Sequence, residues 1–308
     1  MATRIGIGFS VSKSDLASAE QICEFAERVE GLGIDSIWPS DHTVSRQPSL
    51  DVHCLLALFA ARTKKVKMGP SVLSLPARHP VHMAKTYATL DHLTGGRRRI
   101  ICAVGLGGDA RECEVVGVPA GERGARMREG VEVMRRLWAE PRVSHEGRFY
   151  RFDDVTIDPR PVGGPLDVWI GGNSDLALKR VARYSDGWMP SFITASEFAA
   201  GMTKLQGFCG QTGRAIDTGE AGALLLCHVG RDGDEAARVA RSFLEGTPFG
   251  AETLRERCAF GTAEEVRDRI EEYVAVGCEK FVLFPVAGGA GLASQVDAIG
   301  TQIIPHFC

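Results

Sequence analysis

Eight times along this chain a short, continuous apolar run is followed by a helix-length stretch carrying an apolar stripe. Runs of that kind read as strands buried on both faces, as in an all-parallel sheet, and each parallel connection needs a crossover that a helix supplies. The strand-like runs are Arg4–Phe9, Ile34–Trp38, the run opening at Val66, Arg99–Val104, Leu166–Ile170, Asp186–Met189, Ala223–Val229 and Phe281–Pro285. Helical patterns fill Asp15–Gly33, Asp51–Arg62, His79–Leu93, Gly124–Ala139, Ala195–Thr212, Asp232–Leu244 and Leu292–Pro305, and another opens at Gly171-Gly172-Asn173-Ser174. Thr262–Val276 is also helical, with Thr262 and Glu265 spaced as a capping box. The alternation predicts an α/β fold, a (β/α)8 TIM barrel with insertions. A length of 308 residues suits one domain, residues 1–308, better than two. Val143–Pro161 breaks the rhythm. Its Gly147-Arg148-Phe149-Tyr150-Arg151-Phe152 reads as a hairpin inserted between barrel units four and five.

Composition removes several classes of function. A formal net charge of −3 gives no reason to expect nucleic acid or an anionic membrane as partner. No apolar run approaches the roughly 18 residues of a membrane span, and MATRIGIGFS has no signal-peptide core. The 9 cysteines are scattered without a CxxC, so they read as buried thiols in a reducing cytoplasm. His53, His79, His82 and His92 fall in helices without HxH or HExxH pairing, and no catalytic metal is expected.

In a barrel the ligands sit at the C-terminal ends of the strands. The third strand runs into Gly69-Pro70, which a central strand would not continue through. It opens into a rigid loop, Ser71-Val72-Leu73-Ser74, punctuated by Pro76 and Pro80. The second strand ends in Pro39-Ser40-Asp41-His42. His42 is either structural or the catalytic candidate, since an imidazole exchanges protons near neutral pH. Asp41 either orients it or caps the loop. Gly105-Leu106-Gly107-Gly108 follows the fourth strand, with Asp109 and Glu112 the nearest carboxylates. Gly171-Gly172-Asn173-Ser174 stands at a helix N-terminus, where free N–H groups suit a phosphate or Ser174 serves as an ordinary cap.

Four stretches together resemble the bacterial luciferase-like monooxygenase superfamily. They are Ser40-Asp41-His42; PARHPVHMAKTYATLDHLTGGR from Pro76; GRFYRFDDVTIDPRPV from Gly147, with the VWIGG and DGW that follow; and GTAEEVRDRIEEYVAVGCEKFVL from Gly261. The DHLTGGR and GRFYRFDD segments are most similar to the branch that uses the deazaflavin coenzyme F420; other branches use FMN. The resemblance implies a (β/α)8 barrel, commonly a homodimer, that binds its flavin at the strand C-termini. It implies a non-prolyl cis peptide at Ser71–Val72 pressed against one face of the ring. It also implies that Arg126, with Arg123 and Arg128 nearby, contacts phosphate from its helix. The implied cofactor set is therefore Asp41, Ser71, Val72, Gly105, Gly107, Arg126, Gly171, Gly172, Asn173 and Ser174. An open channel for the longer phosphate-and-glutamate tail is expected beside Gly172 and Arg126. The best-understood deazaflavin dehydrogenases carry a glutamate acid at about Gly108, and this chain does not. The expected activity is hydride transfer between F420 and a small organic substrate. The alternatives are a reduced-FMN monooxygenase and a flavin-binding barrel without chemistry. Pairing is expected through the Cys54–Ala61 and His79–Leu90 helices, and pocket walls from Thr43–Ser49 and Phe192–Ala199.

Overall fold

A computed structural model describes residues 3–10, 18–45, 47–244, 251–286 and 291–307. The expected helix start at Asp15 and one wall residue, Arg46, lie outside these. In chain order the strands are β1 (Arg4–Phe9), β2 (Ser36–Pro39), β3 (Lys67–Met68), β4 (Leu73–Ser74) and β5 (Ile101–Gly105). There follow β6 (Val143–Glu146), β7 (Arg151–Val155), β8 (Asp167–Gly171), β9 (Gly187–Met189), β10 (Gly222–Val229), β11 (Ala259–Gly261) and β12 (Lys280–Pro285). The helices are α1 (Ala19–Gly31), α2 (Val52–Arg62), α3 (Pro80–Leu93), α4 (Arg111–Glu114), α5 (Arg123–Ala139) and α6 (Asp175–Tyr184). They continue with α7 (Ala195–Thr212), α8 (Gly233–Leu244), α9 (Ala251–Arg257), α10 (Ala263–Val274) and α11 (Gly291–Ala298).

Parallel pairing runs β11-β10-β12-β1-β2-β3 in one ladder and β4-β5-β8-β9 in another. Single parallel bridges at Met68–Ile100, Trp188–Ala221 and Ser191–Leu224 join the two into a ring. This is the arrangement of a (β/α)8 barrel. The third barrel position is split as Gly69-Pro70 requires: β3 ends at Met68 and the chain resumes as β4, which pairs only with β5. β6 and β7 form the antiparallel hairpin expected between units four and five.

Period-two alternation distributes each strand between two cores. Ile5, Ile7, Phe9, Ile37, Cys102, Val104, Val168, Ile170, Leu225 and Leu283 pack outward against the helices. Trp38, Ile101, Ala103, Trp169, Met189 and Val282 fill the barrel interior. Burial on both faces is why the strands read as unbroken apolar runs. At the N-terminal end the interior is closed by Lys280, fully buried, with Nζ 2.7 Å from Asp35 Oδ2. The ammonium also lies 5.6 and 5.4 Å from the ring centres of Trp38 and Trp169. Burial alone would raise the Asp35 carboxyl, but Lys280 and Ser36 hold it below its ordinary value. Among the described residues no helix is long and apolar enough to cross a membrane.

Candidate active site at the barrel mouth

The loop leaving β2 is tied down on both sides by buried carboxylates. Asp41 turns inward, accepting from the Ser74 amide at 2.9 Å and from Arg78 Nη2 at 2.7 Å. Burial pushes its carboxyl above the ordinary range, and Arg78 and the Ser74 amide offset only part of that. Asp41 thus caps the β4 loop and does not orient His42. That task falls to Glu112, a buried residue of the short helix α4. Its Oε1 lies 2.9 Å from His42 Nδ1, and its Oε2 accepts from the Thr43 amide at 3.1 Å. A carboxylate only accepts, so Nδ1 carries the hydrogen of this bond and Nε2 is left to take or release a proton. The His42 side chain is 45% exposed while Glu112 is 5% exposed, so the pair presents an imidazole from a buried anchor. It borders a cleft of about 690 Å³ between the β2 loop and α4, also lined by Val44, Ser45, Asp109 and Val115.

The next wall is Val72. The Ser71–Val72 bond is cis, and Ser71 Oγ donates to the Trp38 carbonyl at 3.2 Å. Val72 packs on the interior cluster of Trp38, Ile101 and Trp169. Two strand ends are glycine where Val72 passes. A Cβ on Gly105 would sit 2.4 Å from Val72 Cγ2, and one on Gly171 would sit 3.3 Å from Val72 Cγ1. Gly107, at φ +81°, closes against Ser74, whose Oγ lies 2.6 Å from where its Cβ would be. Val72 therefore stands at the centre of the mouth, clasped between β5 and β8.

After β8 the chain turns through Gly172 at φ +107°, a conformation that favours glycine. Trp188 Nε1 donates to the Gly172 carbonyl at 2.9 Å, and Asn173 Nδ2 to the Ser191 carbonyl at 2.7 Å. Ser174 is the N-cap of α6, accepting from the Ala177 amide at 3.2 Å. The first turn of α6 still directs amides without intrahelical acceptors toward the mouth, as any helix start does.

Arg126 is placed otherwise than expected. It pairs with Glu122 at 2.9 Å and lies over the Phe149 ring at 4.6 Å, so the inserted hairpin claims it. A groove beside α6 is lined by Arg123 and Arg128, and by neither Gly172 nor Arg126.

Places at strand ends single out His42 and the glycines, and the family resemblance implies the cis bond that the structure contains. The sequence names Glu112 only as a nearby carboxylate, because nothing in residues 105–114 announces the turn of α4 that aims it at His42. Among the described residues no group of three or more His, Cys, Asp or Glu is placed to hold a metal ion.

Comparison with known proteins bears on this geometry. Residues 3–256 match the family described as luciferase-like monooxygenase. F420-dependent glucose-6-phosphate dehydrogenase of Kineococcus radiotolerans is 34% identical over 195 residues, 59% of this chain and 55% of that protein. The enzyme of the same name from Amycolatopsis mediterranei is 36% identical over 56% of this chain and 55% of its own length. These matches thus span little more than half of either relative. 5,10-Methylenetetrahydromethanopterin reductase of Archaeoglobus fulgidus is 25% identical over 80% of this chain and 72% of its own length. Among solved structures, an F420-dependent secondary alcohol dehydrogenase superposes with a TM-score of 0.85 at 22% identity, covering 98% of both chains. The coenzyme F420-dependent tetrahydromethanopterin reductase of Methanopyrus kandleri gives 0.84 at 20% identity, covering 100% of both.

Proposed function

The chain belongs to the luciferase-like monooxygenase family, and within it we propose an oxidoreductase that uses coenzyme F420 to move a hydride to or from a small organic substrate. The observation that carries the proposal is the His42–Glu112 pair, standing at the rim of a mouth whose centre is Val72. The names of the relatives, F420-dependent in each of the dehydrogenases above, support the choice of cofactor.

The residues present fit such a group. Val72, backed by Gly105 and Gly171, would support one ring face, with Ser71 and Gly107 beside it. Gly171, Gly172, Asn173 and Ser174 would hold the phosphate at the start of α6. A bound deazaflavin supplies a carbon centre that carries hydride and does not readily activate dioxygen, the protein contributing position and shielding. His42 Nε2 would take or return the substrate's proton, with Glu112 fixing the tautomer and stabilising the imidazolium. Asp41 and Arg78 hold the β4 loop beneath. The position near Gly108 offers no acid of the kind expected for sugar-phosphate dehydrogenation, and the nearest buried carboxylate, Glu112, is occupied by His42.

A homodimer fits the apolar Ala57, Leu58 and Val81 of α2 and α3, which stay half-buried, and sedimentation at micromolar concentration checks it. Eight free thiols among the described residues, seven of them buried, suit a reducing cytoplasm. The deciding test of function is titration of the purified apoprotein with F420 and with FMN. F420 should bind at least about tenfold more tightly, a gap of about 1.4 kcal/mol. Equal or reversed affinities would sink the reading.

A further inference from the structure

Among the described residues, four of the eight exposed large apolar side chains stand in the two segments that wall the His42 cleft. Val44 and Leu50 lie in the loop after β2, and Val115 and Val116 follow the turn of α4. Val44 is 50% exposed and Val115 64%, and both line the cleft, one from each wall. A single exposed valine needs no explanation, but a pair on either side of a proton-exchanging imidazole does.

The cleft is also built. Glu112 reaches from α4 to the β2 loop and takes both His42 Nδ1 and the Thr43 amide. Its side chain is buried, so the two walls are joined at the floor while the valines stay at the rim. Three carboxylates line the cleft, Asp109, Glu112 and Glu114, against one guanidinium, Arg111. A recess with that excess of negative charge disfavours an anion.

The rest of the mouth offers an anion no better partner. Arg78 is engaged by Asp41 and the Ser74 carbonyl, and Arg257 by Glu197 and the Phe192 carbonyl. The ends of β10 and β12 carry an apolar cluster of Leu226, Phe284 and Val286, with Phe192 packed against it. A phosphorylated or carboxylated substrate would give up hydration here without return. An uncharged one with an apolar body would cover the valines and regain that area from water. We propose that the substrate is an uncharged alcohol, or the corresponding carbonyl compound, with an apolar body of several carbons, and that Val44 and Val115 select it. The step balances. The carbinol C–H bond breaks with its electron pair passing to the oxidised deazaflavin, the hydroxyl proton passes to His42 Nε2, and the carbon–oxygen bond becomes a carbonyl. The alcohol is oxidised and the cofactor reduced; the carbonyl compound runs the same step backwards.

The assignment rests on the F420 reading, and the test separates the two. Turnover of the 2-alkanols from 2-butanol to 2-octanol is followed by loss of F420 fluorescence, and binding of the matching 2-alkanones to the apoprotein by ligand-observed NMR. In wild type, kcat/KM and alkanone affinity should both rise about two- to fourfold per added methylene. Val44→Ser/Val115→Ser should flatten both slopes to below about 1.5-fold per methylene while F420 affinity holds. The anion 7-hydroxyoctanoate should be at least about tenfold poorer than 2-octanol, and Glu114→Gln should narrow that gap. Glucose 6-phosphate should not be turned over. Flat slopes in wild type, slopes that survive in the double serine variant, or an anion handled as well as 2-octanol would each overturn the assignment and leave the cofactor reading intact. So would F420 binding without turnover of any alcohol or ketone in the series. If wild type binds no F420, the cofactor reading falls and the proposed reaction with it, and the alkanone slope on the apoprotein still decides whether the two valines select an apolar body.

Discussion

Gly105→Ala is the smallest change that addresses the centre of the mouth. The added methyl would begin 2.4 Å from Val72 Cγ2, whereas ordinary contact starts near 3.4 Å, so Val72 must retreat by about 1 Å. On its other side stands Gly171, where an added Cβ would lie 3.3 Å from Val72 Cγ1, so the room toward β8 is about that of the missing methyl. Overpacking by one methyl at a constrained site costs about 1–3 kcal/mol. With Val72 as the proposed support of the ring, the same displacement should lower cofactor affinity by tenfold or more, about 1.4 kcal/mol. Val72→Ala removes the colliding methyls at a cost of its own. Joined to Gly105→Ala it should restore much of the stability, giving a coupling of about 1 kcal/mol or more in a double-mutant cycle. Urea unfolding of the four proteins supplies the cycle, and deazaflavin fluorescence supplies the affinities. Additive stabilities, with Gly105→Ala binding as wild type, would refute the claim that Val72 is clasped between two strand ends at the ring site.

Three further outcomes follow from the structure. In single-turnover measurements with an identified substrate, His42→Ala should slow hydride transfer about 100-fold and Glu112→Gln about tenfold or more, with cofactor affinity within a few-fold. The double variant should be no slower than His42→Ala, and losses that multiply would show that the two do not act as a unit. Lys280→Ala leaves the Asp35 carboxylate part-buried and unpaired at the closed end of the barrel, and should cost about 3–5 kcal/mol in urea unfolding; a loss under about 1 kcal/mol contradicts the pairing. Because Asp35 is held below its ordinary value, its contribution is present above the unfolded pKa of about 3.9 and disappears as pH falls through the lower folded value. The stability advantage of wild type over Asp35→Asn should therefore shrink below about pH 4, and an advantage that persists there excludes the ionised pair as its source.

The fold was legible because each barrel strand is buried on both faces. Ile101, Cys102, Ala103 and Val104 are buried in succession, alternating between the interior and the helices, so the run shows no polar interruption and its length alone marks it as a strand. The hairpin was legible for the opposite reason, an exposed two-stranded ribbon around Gly147 with polar and aromatic residues interleaved. What escaped was too short to leave a period. β11 has 3 residues and α4 has 4, little more than one repeat of the strand or helix period and too few to establish it. Their existence is decided by what they dock on: β11 by its ladder with Cys227–Val229 of β10, α4 by the buried Glu112 and Cys113.

The site divides along the same line. Residues at strand ends could be found from the barrel alone, but the partner each one takes is a long-range matter, and the arginines of α5 show why. Arg123, Arg126 and Arg128 lie within six positions and differ mainly in direction around the helix. Arg126 shares a face with Glu122 and Glu129, four before and three after. That face receives the hairpin: Glu129 accepts the Phe149 and Tyr150 amides at 3.0 and 2.8 Å, and Phe149 covers Arg126. Arg128 stands one turn beyond Gly124, on the face where α6 brings Arg180. An inserted element with no part in the barrel thus decides which cation is neutralised and which remain free to meet an anion. The hairpin consumes one face of α5, and the groove against α6 is the charge that it leaves over.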